Sequence, residues 1–212
     1  MKMGVLGSGM VAQALSARLA ELGHNVVIGT RDAEKLKGWQ SSNQRVKIGS
    51  FADTAAHGEI VFNATNGAAS LQALTMAGPE NLRGKILIDV SNPFDFTNGF
   101  PPSLFVCGTD SLGEQIQRAL PNTKVVKALN TVTARLMVYP QEVAGGDHYV
   151  FISANDMDAK LQVVDLLRAF GWTNIFDLGD LTTARGTEAY MLLWVRLFGA
   201  MNTGMVNIKI MK

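Results

Sequence analysis

The stretch "KMGVLGSGMVAQALSARLAELG", residues 2–23, decides the fold. It opens as a short apolar run and continues as an Ala/Leu-rich segment with helical spacing. The segment stops at Gly23, a residue suited to closing a helix. Between the two lies Gly7-Ser8-Gly9-Met10-Val11-Ala12, small residues set where a strand must turn tightly into a helix. Gly7 permits the turn, Gly9 lets phosphates come close to the backbone, and Ala12 lets the helix pack near the strand. The first N–H groups of such a helix carry the positive end of its dipole and attract phosphate. A glycine turn without a ligand is the plain alternative. The strand before it and the helix after it favour a dinucleotide site.

The next stretch, "NVVIGTRDAEK" (residues 25–35), tests that reading. In a dinucleotide-binding unit the tip of the second strand usually holds a carboxylate that reads the ribose of NAD. Here the tip is Thr30-Arg31. A carboxylate would repel a 2′-phosphate, whereas a hydroxyl and a guanidinium can donate hydrogen bonds to it. Arg31 can do so bidentately or stack on the adenine, and Lys35 adds a point charge one turn further on. Asp32 reads as a cap for the following helix. A solvated basic turn is the alternative. The ligand this end predicts is NADP(H), not NAD.

Further along, strands and helices alternate. "RVKIGS", "EIVFNAT", "KILIDV" and "TKVVKAL" read as strands, and "DAEKLKGW", "AASLQALTM" and "SLGEQIQRAL" as helices, with "FADTAAHG" a short segment between strands. Alternation of this kind requires crossover connections. It predicts an α/β, Rossmann-like, doubly wound and mostly parallel sheet with helices on both faces. Residues 1–130 form the dinucleotide-binding core. Residues 131–212 form a small C-terminal α/β extension: strand "HYVFISA", amphipathic helix "DMDAKLQVVDLLRAF", strand "TNIFDLG" and final helix "TEAYMLLWVRLFGAM". No linker divides the chain, so 1–212 is expected to be one unit. "SNPFDFTNGFPPS" is expected to be a loop.

In a doubly wound sheet the C-terminal ends of the strands line the cofactor crevice. "NATNG" (63–67), "DVSNP" (89–93) and "KALNTV" (127–132) are such ends. Ala64, Thr65, Asn66, Ser91, Asn92 and Pro93 are therefore candidates for contacts to nicotinamide and ribose. Asn130 faces the same crevice or serves as a buried structural amide; both readings stand.

Composition narrows the classes. Of 212 residues, 47% are hydrophobic and 17% charged, enough for a large core. With Lys+Arg 19 and Asp+Glu 18 the net charge is +1, which gives no reason to expect nucleic acid or an anionic membrane. The single Cys107 rules out an internal disulfide framework, reads as packing, and suits a reducing cytoplasm. No metal-ligand spacing and no export segment are visible. "YMLLWVRLFGAM" is interrupted by Arg196 and too short to span a bilayer. His24, His57 and His148 form no triad, and no catalytic acid–base residue is expected.

Together GSGMVA, IGTR, DVSNP, KALNT and "LLWVRLFGAMNTGMVNIKIM" resemble the coenzyme F-420-dependent NADP oxidoreductase family. They are also similar to the cytosolic NADPH-binding domain of the STEAP metalloreductases, and "KALNT" looks more like the STEAP and bacterial relatives than the archaeal ones. The resemblance implies NADP phosphate contacts at Thr30, Arg31 and Lys35. It implies hydride transfer between the nicotinamide and a small-molecule acceptor, a deazaflavin (coenzyme F-420) or a flavin. It also implies a homodimer, with the extension forming part of the acceptor pocket or the dimer interface. The final helix, with Leu192, Leu193, Trp194 and Phe198, is too apolar to leave in water and is the expected interface. Such transfer requires positioning of two rings more than proton chemistry. Two other readings stand: an NADPH-dependent reductase of a small carbonyl or imine, and a non-catalytic NADPH-binding redox sensor.

Overall fold

The computed structural model describes residues 1–211. Its strands are β1 (Lys2–Leu6), β2 (Asn25–Gly29), β3 (Val46–Gly49), β4 (Ile60–Asn63), β5 (Ile86–Asp89), β6 (Phe94–Asp95), β7 (Ser103–Leu104), β8 (Lys124–Ala128), β9 (Tyr149–Ala154) and β10 (Asn174–Gly179). Its α-helices are α1 (Met10–Glu21), α2 (Lys37–Ser41), α3 (Phe51–His57), α4 (Ser70–Ala77), α5 (Pro79–Leu82), α6 (Leu112–Ala119), α7 (Ala134–Val138), α8 (Met157–Phe170) and α9 (Ala184–Met201).

Eight strands form one sheet in the order β10-β9-β8-β5-β4-β1-β2-β3. From β8 to β3 every pair is parallel. This is the doubly wound α/β arrangement that the alternating sequence requires. The central strands are apolar at consecutive positions because both faces of the sheet are covered. Successive residues then feed opposite layers. Met3, Phe62, Ile88 and Val126 pack in one core, while Val61, Leu87 and Val125 pack in the other. Residues of α1, α7 and α8 belong to the first layer, and residues of α3, α4 and α6 to the second.

The C-terminal part continues this sheet. β9 pairs antiparallel to β8, and β10 pairs parallel to β9. α9 then returns over the second layer, burying Ala184 and Met191 while Leu192, Leu193 and Phe198 remain exposed. After it the chain passes back to β9, where the Tyr149 amide donates to the Ile208 carbonyl at 3.1 Å.

Three local details differ from the sequence reading or refine it. "DAEKLKGW" opens as a 3₁₀ turn over Ala33–Leu36 before α2, with the Asp32 side chain accepting from the Glu34 amide. "FADTAAHG" forms α3, nucleated by a reciprocal capping box between Ser50 and Asp53. The expected loop at 91–103 contains β6, which pairs with β7 as a small antiparallel hairpin through Phe94–Leu104 and Asp95–Ser103. Pro, Asn and Gly break the period there, yet short bridges on either side of the turn still close. No helix among the described residues is long and apolar enough to cross a membrane.

Candidate functional site

Strand order reverses between β1 and β4, whose following helices α1 and α4 pack on opposite faces of the sheet, and this leaves a crevice at the C-terminal strand ends. Gly7 makes the turn out of β1 at φ +126°, and a Cβ on it would lie 2.5 Å from the Ala64 carbonyl oxygen. Both backbone shape and space demand glycine. Gly9 is different. Its φ of −79° is open to any residue, and a Cβ there would meet nothing within 4 Å. The protein's own packing does not require this glycine, and its bare backbone leaves room for a ligand to lie against it.

The helix that follows agrees. No side chain caps the N-terminus of α1, whereas Ser50, Ser111 and Asp156 cap α3, α6 and α8. Its first N–H groups are therefore available to phosphate oxygens. The residues present fit a dinucleotide's pyrophosphate.

At one end the crevice opens into a cavity of about 290 Å³ whose lining includes Gly7, Ser8, Thr30, Arg31, Lys35 and Thr65. Arg31 and Lys35 are exposed, and neither forms a salt bridge among the described residues. Two cations thus line one small volume, which suits a phosphate monoester. Thr30 lines the same cavity, but its hydroxyl donates to the Asp32 carbonyl at 3.0 Å and accepts from the Asp32 amide at 3.1 Å. In this arrangement Thr30 shapes the turn that presents Arg31; its proton is not directed at a phosphate. Asp32 caps the next turn, as its position suggests.

The other end is a smaller cavity of about 170 Å³ whose lining includes Val11, Ala64, Thr65, Asn66, Ser91 and Asn92. Phe94 and Phe96 also bound it, and together with Asn66 and Gly67 they are shared with a wider opening of about 520 Å³. Leu71, Phe105 and Leu112 make that opening largely apolar, with Asp95 and Gln115 at its polar side. A Cβ on Gly67 would fall 1.9 Å from the Asn92 carbonyl oxygen, so the loops after β4 and β5 meet backbone to backbone on the crevice floor. Hydrogen bonds from Thr97 hold the Asp95 carboxyl below the usual carboxylate range. It is an ionised group at neutral pH and no proton donor.

Several predicted residues sit elsewhere. Met10 is 83% exposed at the helix start, outside these cavities. Pro93 is buried, and its carbonyl accepts from the Phe105 amide, which anchors the hairpin. Asn130 is buried and supports Asn92: its amide donates to Asn92 Oδ1 at 3.0 Å, and Asn92 Nδ2 donates back to the Asn130 carbonyl at 2.8 Å. The structural reading of Asn130 is the one these contacts favour. Leu129 holds φ +63° just before it, a left-handed turn that costs a branched residue about 1–2 kcal/mol. His24, His57 and His148 line none of these cavities; His148 is packed edge-on against Trp172.

Sequence reasoning missed a buried polar network behind the smaller cavity. Lys127 at the end of β8 is fully enclosed. Its ammonium donates to Asp89 Oδ2 at 2.8 Å, Glu188 Oε1 at 2.7 Å and the Ser91 carbonyl at 2.7 Å. Burial works against that charge, yet Asp89 and Glu188 hold its pKa above the ordinary lysine value. Glu188, on α9, also accepts the Leu112 and Gly113 amides at the start of α6. Asp89 Oδ1 accepts from the Ser91 hydroxyl at 2.6 Å and from Asn63 Nδ2 at 2.9 Å. Asn63 Oδ1 in turn accepts from the Thr65 hydroxyl at 2.7 Å. A visible signal existed: Lys127 and Asp89 each interrupt an apolar strand, and a charge inside a doubly covered strand needs a partner.

Residues 2–93 match the family described as NADP oxidoreductase, coenzyme F420-dependent. The crystal structure of a provisionally named F420-dependent NADP-reductase from Arthrobacter sp. FB24 is 52% identical, superposes with a TM-score of 0.97, and is covered completely in both chains. The F420-dependent NADP reductase of Methanothermobacter marburgensis is 29% identical over 93% of this chain and 92% of its own. Metalloreductase STEAP3 of Rattus norvegicus is 33% identical over 90% of this chain. That match spans only 36% of the STEAP3 length, so the chain corresponds to about a third of that relative.

Proposed function

The chain belongs to the family of coenzyme F420-dependent NADP oxidoreductases, and from this premise we propose that it transfers hydride between NADP(H) and a planar ring acceptor of the deazaflavin or flavin type. The observation that carries the reading is the shared wall of Asn66, Gly67, Phe94 and Phe96 between the small cavity at the strand ends and the wide aromatic opening. One crevice thus offers a phosphate-binding end, a polar middle and an apolar mouth.

When bound, NADPH supplies a hydride from the C4 position of its nicotinamide. The chain's own residues do the rest by placement. Arg31 and Lys35 hold the 2′-phosphate, and the uncapped start of α1 holds the pyrophosphate. Asn66, Ser91 and Asn92 offer donors and acceptors to the ribose and carboxamide. Phe94, Phe96 and Phe105 provide flat apolar surface that orients an aromatic acceptor and sheds water, which suits a reaction governed by ring placement. No side chain in either cavity is arranged as a general acid, and direct hydride transfer needs none.

The test is NADPH oxidation, followed by absorbance, against coenzyme F420, FMN, FAD, quinones, a small ketone and a cyclic imine. Turnover with the ring acceptors is expected. Turnover confined to the ketone or imine would replace this reading with the carbonyl or imine reductase. Tight NADPH binding with no turnover at all would replace it with the redox sensor.

The same reading includes a homodimer in the reducing cytoplasm. Leu192, Leu193 and Phe198 are 43%, 56% and 41% exposed along α9, and Phe100 lies edge-on to Phe198. Such a face is more apolar than an isolated surface helix tolerates. Light scattering at micromolar concentration should give twice the chain mass, and Leu193→Glu should halve it. A wild-type monomer would remove the dimer and leave hydride transfer untouched.

A further inference from the structure

The chemistry-bearing loops of the crevice do not stand alone, because one buried ammonium ties them together. Lys127 has three N–H donors, and each has its own acceptor on a different segment: Asp89 on β5, the Ser91 carbonyl in the loop after β5, and Glu188 on α9. Two carboxylates face one cation. The surplus negative charge is met by the Leu112 and Gly113 amides at 2.8 and 3.0 Å, where the positive dipole end of α6 lies. From Asp89 the network passes through Asn63 to the Thr65 hydroxyl, and directly to the Ser91 hydroxyl. Thr65 and Ser91 both line the small cavity.

A buried charge cluster is weak support for stability, since apolar residues of the same volume often serve as well or better. What an apolar cluster cannot do is fix the direction of a carbonyl and two hydroxyls. The bonds made here end on such groups.

We propose, on the reading that the crevice holds NADP(H), that Lys127 is a positioning residue. Held between Asp89 and Glu188, it fixes Thr65, Ser91 and the Ser91 carbonyl at the nicotinamide end, and so makes that end depend on α9. At the adenosine end the network reaches only Thr65, which borders both cavities, and makes no bond to Arg31 or Lys35. The network therefore acts chiefly on the nicotinamide half of the ligand.

The experiment compares two nucleotides by calorimetry. 2′,5′-ADP carries the adenosine and 2′-phosphate; NADPH adds the nicotinamide half. Glu188→Gln preserves shape but turns an N–H group toward either Lys127 or the α6 amides, donor against donor. In this variant 2′,5′-ADP should bind as in wild type. NADPH should weaken by about 10- to 100-fold, the scale on which a lost supporting contact acts at the site it orients.

The triple variant Asp89→Asn/Lys127→Met/Glu188→Gln removes every charge together and guards against an unfolded single variant. It should melt near the wild-type temperature, keep 2′,5′-ADP, and lose the extra affinity for NADPH. Equal loss of both nucleotides, or no loss of either, overturns the positioning role. Wild-type protein that binds neither nucleotide overturns the cofactor reading itself, and this inference with it.

Discussion

The two ends of the crevice solve the problem of holding a ligand in opposite ways. At the end proposed for the adenosine, Arg31 and Lys35 are exposed and form no salt bridge among the described residues. At the end proposed for the nicotinamide, the cavity-lining hydroxyls of Thr65 and Ser91 are tied to Asn63 and Asp89, and behind them Lys127 is shut away from solvent. The difference follows from what each end must do. A phosphate carries its own charge and can be gripped by flexible cations, with energy shared equally between ground and transition states. A ring that must meet a second ring at a defined distance needs a rigid floor.

The strongest way to break this contrast is to remove Lys127. Lys127→Met leaves Asp89 and Glu188 buried without their cation, and it should destabilise the fold by about 3–5 kcal/mol. Chemical denaturation measures this directly. A loss below about 1 kcal/mol, the range of an exposed ion pair, would mean that water reaches the cluster and the two ends are not so different after all.

Arg31→Ala probes the other end and should leave the denaturation midpoint where it is. A hydrogen bond to a charged group contributes about 1.5–3 kcal/mol, so NADPH should weaken by about 10- to 150-fold. KM should rise with kcat spared, because the contact is far from the reacting atoms. NADH, lacking the 2′-phosphate, should be indifferent. Equal losses for NADH and NADPH would place Arg31 against the adenine ring instead, and a changed midpoint would give it a share in the fold.

The same contrast explains what could be read from the chain beforehand. The adenosine end is local: Gly7, Gly9 and Ala12 lie within one turn, and Thr30-Arg31 closes the adjacent strand. Spacing and residue type suffice to nominate such a site. The sheet was legible for a related reason, since each buried strand is a continuous apolar run. The nicotinamide end joins residues that only the fold brings together. Asp89 and Lys127 are 38 positions apart, and Glu188 lies in a helix whose sequence looks apolar nearly all round. The register of β5 against β8 places Asp89 beside Lys127, and no pattern within either strand announces that register. Thr30 shows the limit from the other side. It lines the cavity with Arg31, but its hydroxyl is spent on the Asp32 backbone, which is a matter of turn geometry and not of residue type.

The contact between Gly67 and Asn92 bears on how such a protein can diversify. With only 1.9 Å between a would-be Cβ and the Asn92 oxygen, no side chain can be introduced at position 67 without moving a loop. At this point the crevice floor is a meeting of two main chains, and a substitution at position 67 cannot be accommodated without displacing one of them. Phe96 and Phe105 stand at the opposite boundary, 53% and 43% exposed, with room for exchange. On the proposed reading, changes in acceptor choice would fall on the hairpin and the rim around it, while the backbone contact beneath the nicotinamide stays fixed.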